Sequence, residues 1–217
     1  MQSNFRTAVI ILCAGNGTRA GGAIAKQWQE LAGKRVIDWT VERFVSCPRI
    51  DQIVIVHPQK EPVEFAGRAS QLTYVNGGNT RAQSVKNGLE ALAPNAPDIV
   101  LIHDGAWACV SVALIDRCID AMSDHRAAAP ALAVVDTLWT GNNGIVEKTG
   151  DRENLYRAQT PQAWHSADII AAHKTFQGTP TDDVQVAQAA GMDVAIIQGD
   201  ADNIKITLPE DFARAER

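Results

Sequence analysis

The stretch Thr7-Ala-Val-Ile-Ile-Leu-Cys-Ala-Gly-Asn-Gly-Thr-Arg19 decides the fold. Its first seven residues are apolar or β-branched without alternation, as in a parallel strand that is buried on both faces. The strand leads into a loop with several glycines that extends to Gly22. A buried strand followed by such a loop indicates an α/β sheet with a ligand-binding edge.

Further strand and helix patterns alternate along the chain. This order predicts a Rossmann-like, mostly parallel sheet flanked by helices and connected by right-handed crossovers. The predicted strands are 7–13, 52–57, 72–75, 98–104, 131–135 and 194–198, and the predicted helices are 37–45, 80–92, 166–176, 181–190 and one beginning after 207. The helices near Thr80 and Thr207 are expected to open with capping boxes.

The alternation is interrupted between residues 136 and 158. Gly141-Asn-Asn-Gly144 is a turn signal between two short extended stretches, which predicts a β-hairpin arm. The chain shows no repeat, linker or low-complexity segment. We therefore expect a single domain over residues 1–217 that carries this arm.

Composition excludes several classes of protein. The chain has 217 residues, 46% of them hydrophobic and 21% charged, which is sufficient for a packed core. Its net charge of −5, without a basic stripe, argues against nucleic acid as a partner. The longest apolar runs, 8–14 and 127–135, are too short to cross a membrane. The four cysteines form no C-x-x-C pair and the first residues show no signal-peptide pattern, so a cytoplasmic protein is expected.

The loop after the first strand is the strongest candidate site. Gly15-x-Gly17-x-x-Ala20 formally fits a dinucleotide fingerprint, but the acidic residue at the right distance, Asp38, falls inside a predicted helix rather than at the end of the second strand. Arg19 and Lys26 instead suit a triphosphate, whose oxygens the glycine amides would hold. A flexible loop with solvated cations remains equally open.

Two more polar residues fall where other strands end. Asp104 follows an apolar strand and could hold Mg²⁺ between phosphates, or could simply cap a turn. Lys205 follows the last strand and could join the same pocket, or could be a surface lysine. His103 is expected to be a hydrogen-bonded residue rather than a base.

These motifs resemble one family, the 2-C-methyl-D-erythritol 4-phosphate cytidylyltransferases. The resemblance rests first on the loop Cys13–Arg19 with Lys26-Gln27, and on the glycine-rich element Gly77–Val85. It continues through His103-Asp104, Asp136-Thr137, Asp151-Arg152, Gln159-Thr160-Pro161-Gln162, Thr181-Asp182-Asp183 and residues 201–207. The ordered motifs cover nearly the whole chain, from residue 7 to about residue 212.

The resemblance implies a nucleotidyltransferase fold and a role for each matching residue. The catalytic residues would be Arg19 and Lys26, which neutralise the charge of the triphosphate and of the transition state, and Arg152 and Lys205, which position the methylerythritol phosphate. CTP would be bound by Leu12, Cys13, Ala14, Gly15, Asn16, Gly17, Arg19, Lys26, Gly78, Asn79, Ser84 and Asp104. The polyol phosphate would be bound by Asp104, Gly105, Thr137, Arg152, Thr160 and Lys205, and Asp104 would ligate Mg²⁺ or another divalent cation.

The implied reaction is cytidylyl transfer from CTP to methylerythritol phosphate, with release of pyrophosphate. The implied assembly is a homodimer in which the arm crosses to the partner, so that Thr137 and Arg152 complete the neighbouring site. No nucleic acid or membrane partner is expected.

Two positions depart from the family pattern. Trp107 stands where arginine is usual, which removes a cation and predicts weaker binding of the sugar phosphate. Ala25 stands where proline usually precedes the lysine, which leaves the loop around Lys26 less restrained. The alternatives are another polyol phosphate such as ribitol 5-phosphate as acceptor, a dinucleotide-dependent oxidoreductase, and a non-catalytic nucleotide-binding protein.

Overall fold

A computed structural model of the chain describes residues 5–15, 24–58, 65 and 71–216. Strand β1 (Thr7–Leu12) lies in the centre of the main sheet, parallel to β4 (Gln52–His57) on one side and to β6 (Ile99–Asp104) on the other. Strand β5 (Leu72–Asn76) extends the sheet beyond β4, again in parallel. The expected parallel sheet is therefore confirmed around its first strand.

The other half of the sheet is mixed. Strand β11 (Gln162–His165) runs antiparallel to β6, and β7 (Ala127–Ala133) lies beyond it. β7 also pairs with β10 (Tyr156–Ala158) in antiparallel fashion and with β12 (Ala195–Gln198) in parallel. Within the described ranges this sheet has eight strands. Two short strands, β2 (Glu30–Leu31) and β3 (Lys34–Arg35), form a separate ribbon.

Helices cover both faces of the sheet, which explains why β1 is apolar without alternation. Val9 and Ile11 face a core built with α1 and α3, whereas Ala8 and Ile10 face a core built with α2, α4 and α5. The helices are α1 (Val36–Ser46), α2 (Arg81–Leu92), α3 (Val112–Ala121), α4 (Ser166–Thr175), α5 (Asp183–Ala189) and α6 (Glu210–Ala215), with 3₁₀ turns at Lys26–Trp28 and Ala93–Asn95.

Three details of the sequence prediction were wrong. β7 begins four residues before the expected Ala131 and ends at Ala133, because the pairing with β11 and β12 involves Ala127 and Ala128. The backbone N–H of Gln83 donates a hydrogen bond to Thr80 Oγ1 at 3.1 Å, as a capping box requires. The Gln83 side chain, however, donates to Asn87 and does not bond the Thr80 backbone, so the capping box is incomplete.

The expected capping box at the last helix is also absent. The Asp211 carboxylate accepts both backbone N–H groups of Thr207 and Leu208 at 2.9 Å. The helix start is therefore held from within its first turn rather than by a preceding threonine side chain.

The interrupted region contains a hairpin of β8 (Leu138–Asn142) and β9 (Ile145–Gly150), which we call the arm hairpin. Asn143 and Gly144 both have positive φ angles, as the expected Asn-Gly turn requires. Tyr156–Ala158 pairs with β7, so the final residues of the predicted segment 136–158 belong to the main sheet. Among the described residues, no helix is long and apolar enough to span a membrane.

Candidate active site

A cleft with a volume of about 710 Å³ lies where β1, β4, β5 and β6 end. This is the edge of a parallel sheet at which ligands usually bind. The cleft is lined by Leu12, Cys13, Ala14, Gly15, Lys26, Gln27, Pro58, Gly77, Gly78, Asn79, Thr80, Arg81, Ser84, Asp104, Gly105, Ala106 and Lys205. The loop after β1, the glycine-rich element before α2 and the end of β6 thus contribute to one cavity.

The start of the loop after β1 is held by a buried glutamine. Gln27 is only 4% exposed, and its amide nitrogen donates to the carbonyl oxygens of Cys13, at 2.9 Å, and Gly15. The Cys13 backbone N–H also donates to the Val56 carbonyl at 2.9 Å. Burial raises the pKa of the Cys13 thiol to about 12, so this cysteine lines the cleft as an uncharged group and not as a nucleophile.

The glycine-rich element before α2 packs against the same loop. A Cβ on Gly77 would lie 2.2 Å from the Ala14 Cβ, so a side chain there would separate the two loops. The Ser84 hydroxyl accepts the Gly78 N–H at 3.1 Å and donates to the Thr80 carbonyl at 3.1 Å. Ser84 is therefore occupied in fixing the backbone, and it presents Gly78 and Asn79 to the cavity.

Asp104 lies between two cations on the floor of the cleft. Its Oδ1 accepts from Arg81 Nε at 3.1 Å, and its Oδ2 accepts from Lys205 Nζ at 2.6 Å. Burial by itself would raise the pKa of Asp104, but the charges of Arg81 and Lys205 outweigh that effect and lower it well below the usual range. The cleft therefore contains a permanent carboxylate bracketed by positive charge.

Arg81 has a second carboxylate partner behind the cleft. Its Nη2 lies 2.8 Å from Asp183 Oδ2, and Asp183 is fully buried. Burial tends to lower the pKa of Arg81, but the charges of Asp183 and Asp104 reverse this and raise it. Arg81 is thus always charged and is shared between the cavity and the interior.

His103 is a structural residue, as expected from the sequence. It is completely buried, and burial lowers its pKa to about 4, with the Asp104 charge opposing this only in part. Its Nδ1 accepts from the Thr160 hydroxyl at 3.0 Å, which leaves Nε2–H to donate to the Trp107 carbonyl at 3.3 Å. Because both ring nitrogens are hydrogen-bonded and the ring is completely buried, His103 is not available as a base.

Eleven of the residues proposed for the site from the sequence line this one cavity: Leu12, Cys13, Ala14, Gly15, Lys26, Gly78, Asn79, Ser84, Asp104, Gly105 and Lys205. Thr160 lies beneath the floor, where its Oγ1 also accepts the Asp104 backbone N–H at 3.4 Å. Asn16, Gly17 and Arg19 lie outside the described residues.

Thr137 and Arg152 do not line the cleft of their own chain. Both are exposed near the ends of the arm hairpin, and Arg152 donates from Nη1 to the Val135 carbonyl. Their assignment to the acceptor site remains a prediction that depends on a second copy of the chain.

Trp107 also lies away from the cleft lining. It is 8% exposed, and its indole nitrogen has no hydrogen-bond partner among the described residues. Lys205 Nζ lies 6.0 Å from the centre of its ring, at the limit of a cation–π contact. The tryptophan therefore adjoins the lysine that binds Asp104.

Sequence reasoning assigned no role to Arg81 or Gln27, although both line the cleft. Arg81 is the first residue of α2, directly after the glycine-rich element. An arginine at that edge of the sheet could have been predicted to line the cleft. Gln27 belongs to the Lys26-Gln27 motif of the resemblance, but nothing in the sequence indicates that its side chain donates to two backbone carbonyls.

Asp104 is the carboxylate that could hold a divalent cation in this cleft. No group of three or more His, Cys, Asp or Glu side chains that could hold a metal occurs in the described part of the chain. Mg²⁺ characteristically uses one or two carboxylates and takes its other ligands from water and substrate phosphates. The ionised Asp104, whose two oxygens each accept only one hydrogen bond from a described residue, fits such a site.

The fold and the cleft together define an α/β nucleotidyltransferase-type protein. The family model for 2-C-methyl-D-erythritol 4-phosphate cytidylyltransferase matches residues 7–217, and the chain belongs to this family.

Relatives and solved structures agree with this assignment. The chain is 47% identical to 2-C-methyl-D-erythritol 4-phosphate cytidylyltransferase of Roseobacter denitrificans, over 98% of this chain and 96% of that protein. It is 50% identical to the bifunctional enzyme IspD/IspF of Ruegeria pomeroyi, over 97% of this chain and 56% of that enzyme. The chain therefore spans about half the length of the bifunctional relatives it matches.

Two crystal structures cover almost the whole chain. The cytidylyltransferase from Thermus thermophilus is 30% identical with a TM-score of 0.79, and the coverage is 96% of both chains. The Francisella tularensis enzyme is 28% identical with a TM-score of 0.83, over 97% of this chain and 98% of that chain. The expected fold class is confirmed by these likenesses.

Proposed function

We propose that the chain transfers a cytidylyl group from CTP to 2-C-methyl-D-erythritol 4-phosphate, which gives 4-diphosphocytidyl-2-C-methyl-D-erythritol and pyrophosphate. Membership of the family supports the reaction. The observation that carries the assignment to this chain is the cleft itself, in which Lys26, Arg81 and Lys205 meet loop backbone and a single carboxylate.

The chemistry requires charge and position rather than a protein nucleophile. An oxygen of the acceptor phosphate attacks the α-phosphorus of CTP in line, the bond to the bridging oxygen breaks, and pyrophosphate leaves. The attacking oxygen is already anionic, so no general base is needed. This agrees with the Cys13 thiol in the cleft and the buried His103 imidazole behind it, which are both held uncharged.

Each set of residues has a distinct proposed role. Backbone from Leu12 to Gly17, with Gly78, Asn79 and Ser84, binds the nucleotide. Lys26 and Arg19 neutralise the triphosphate, and Lys205 and Gly105 hold the acceptor phosphate beside Asp104. Mg²⁺ held by Asp104 and the phosphates would supply additional positive charge when bound.

The acceptor site is completed by a second copy of the chain in this proposal. The arm hairpin exposes apolar side chains that a monomer would leave in water, including Trp139 at 67% exposed and Ile145 at 70%. A homodimer formed through the arm would cover these residues and bring Thr137 and Arg152 to the partner's cleft. With four free thiols among its residues, such an enzyme is proposed to work in the cytoplasm.

The proposal is tested by pyrophosphate release from CTP and Mg²⁺, with methylerythritol phosphate and ribitol 5-phosphate supplied in parallel. Turnover with methylerythritol phosphate alone is the expected result. Turnover only with ribitol 5-phosphate would keep the CTP site and replace the acceptor, and the departure at Trp107 makes this the second candidate. If the protein binds CTP but releases no pyrophosphate with either acceptor, the enzymatic assignment is overturned.

The oxidoreductase alternative loses its remaining support in the structure. Asp38 lies in the first turn of α1, where it forms an ion pair with Arg35 at 2.7 Å. It is not placed at the end of β4, where a ribose-binding carboxylate would be needed.

A further inference from the structure

A row of hydrogen bonds and ion pairs runs from the interior of the protein to the cleft. His173 Nε2 lies 3.0 Å from Asp183 Oδ1, and Asp183 Oδ2 lies 2.8 Å from Arg81 Nη2. Arg81 Nε then lies 3.1 Å from Asp104 Oδ1, and Asp104 Oδ2 lies 2.6 Å from Lys205 Nζ. Only the last three residues line the cleft, so His173 and Asp183 act from behind it.

Asp183 has no other described partner that could replace these two. It is fully buried, and Asp182 fixes it in the first turn of α5 by capping the helix through the Gln185 N–H at 3.1 Å. A carboxylate in such a position is stable only when its oxygens receive charged or polar donors. Arg81 therefore faces a carboxylate on each side, Asp183 in the interior at ion-pair distance and Asp104 in the cleft.

His173 supplies a single bond to this arrangement. It is 2% exposed, its Nε2–H donates to Asp183, and its Nδ1 has no hydrogen-bond partner among the described residues. Its contribution is therefore to fix one oxygen of Asp183, which leaves the other oxygen turned towards the guanidinium of Arg81.

We propose that His173 and Asp183 are positioning residues, which orient Arg81 and thereby set how strongly Asp104 holds Lys205 in the cleft. The inference deepens the proposed function, because Lys205 and Asp104 are the groups assigned there to the acceptor phosphate and the metal. Without the charge of Asp183, Arg81 would interact with Asp104 alone. Asp104 would then be drawn towards Arg81, and Lys205 would lose its fixed position.

The test compares His173→Leu, His173→Gln and Asp183→Asn. Leucine removes the donor, whereas the glutamine amide can donate to the same carboxylate oxygen. We expect kcat of His173→Leu and Asp183→Asn to fall about tenfold or more, as is usual when a partner behind a ligand is lost, with KM for CTP changed less than kcat. His173→Gln is expected to restore most of kcat.

A second readout does not depend on turnover. The rate at which an amine-acylating reagent labels Lys205, followed by mass spectrometry, reports whether its ammonium is still paired with Asp104. We expect Asp183→Asn to change this rate several-fold and His173→Gln to leave it near the wild-type value. If the wild-type protein proves inactive, the proposed function fails, and the labelling rates still decide whether the positioning role exists.

Asp168→Asn serves as the matched control. Asp168 lies on α4 with His173 and is also ion-paired, at 2.7 Å to Arg126, but it does not line the cleft. It should leave kcat and Lys205 labelling unchanged. Equal kcat in His173→Leu, His173→Gln and wild type, or labelling of Lys205 that does not respond to Asp183→Asn, would overturn the proposal. Should Asp183→Asn fail to fold, the leucine and glutamine pair at His173 carries the test.

Discussion

Lys205 Nζ lies 2.6 Å from Asp104 Oδ2, although 101 residues separate the two along the chain. Asp104 is the last residue of β6, and Lys205 follows β12 at the far side of the sheet. Their pairing joins the end of β6 to the segment that carries the last of the motifs matching the family. It also leaves a carboxylate in the cleft ionised at every working pH, because burial, which favours the neutral acid, is outweighed by two cations.

Asp104→Asn is expected to reduce kcat/KM about a hundredfold, comparable to the loss of one strong electrostatic contact in an active site. The amide would leave Arg81 and Lys205 without a shared counter-charge and would weaken any metal site. Steady-state kinetics with varied Mg²⁺ measures the effect. A change of less than threefold would show that Asp104 is only structural.

Stability should depend on pH through His103. Its pKa is lowered to about 4 in the folded protein, against 6.5 in an unfolded chain. Between these two pH values the unfolded chain binds a proton at His103 and the folded protein does not. The free energy of unfolding is therefore unaffected by His103 above about pH 6.5 and decreases as the pH drops towards 4, by about 3 kcal/mol in total.

Urea unfolding of wild type and His103→Gln at pH 7.5, 6 and 5 measures this contribution. The variant should show a smaller loss between pH 7.5 and 5, whereas the exposed control His125→Gln should follow the wild type. Asp104 contributes in a separate window, because its pKa is lowered and its stabilisation is lost only as the pH falls below the ordinary range of a carboxyl group. Identical slopes for all three proteins would contradict the assignment.

Gln27→Leu is expected to weaken CTP binding about tenfold, since both carbonyl groups that the amide holds belong to the loop after β1, which is proposed to bind the nucleotide. Leucine has a similar volume and lacks the amide group that donates these bonds. Equilibrium binding of CTP measures the change, with Gln198→Ala on the exposed face of β12 as control. A CTP affinity equal to that of the wild type would show that the loop keeps its conformation without the two hydrogen bonds from Gln27.

Trp107→Arg is expected to lower KM for the acceptor and to raise catalytic efficiency, because it supplies the forked donor that the family usually has at this position. Trp107→Phe is the companion variant, since it keeps an aromatic face near Lys205 without adding charge. Kinetics with varied acceptor and saturating CTP distinguishes the two. Unchanged efficiency in Trp107→Arg would remove this explanation of the departure.

If the arm crosses to the partner subunit as proposed, two inactive variants should complement each other. Arg152→Ala and Lys205→Ala should each lose most activity alone, whereas mixed dimers should contain one intact site built from both chains. Random mixing would then restore about a quarter of the wild-type activity. Activity in the mixture no greater than the average of the two variants would contradict a site shared between subunits.

The sequence predicted much of this arrangement because its signals are local. Apolar runs identify the buried strands, and glycine-rich loops that directly follow them place Leu12, Gly15, Gly78 and Ser84 at the same edge of a parallel sheet. The match of ordered motifs to one family came from the same short segments. Some errors lay at element boundaries, such as the start of β7, where pairing with distant strands decides the limits. The others were the two expected capping boxes at Thr80 and Thr207, which the structure does not contain.

Only the tertiary structure decided which polar side chains share partners. The Asp104–Lys205 pair, the attachment of Arg81 to the buried Asp183, and the position of Thr160 beneath the floor all depend on distances between segments far apart in the chain. Hydrophobic periodicity does not indicate such distances. A charged or hydroxyl residue contributes to the pattern in the same way whether its side chain faces solvent or a buried partner. The sequence therefore determined the sheet and the edge at which chemistry occurs, and the packing of its helices determined how charge is distributed there.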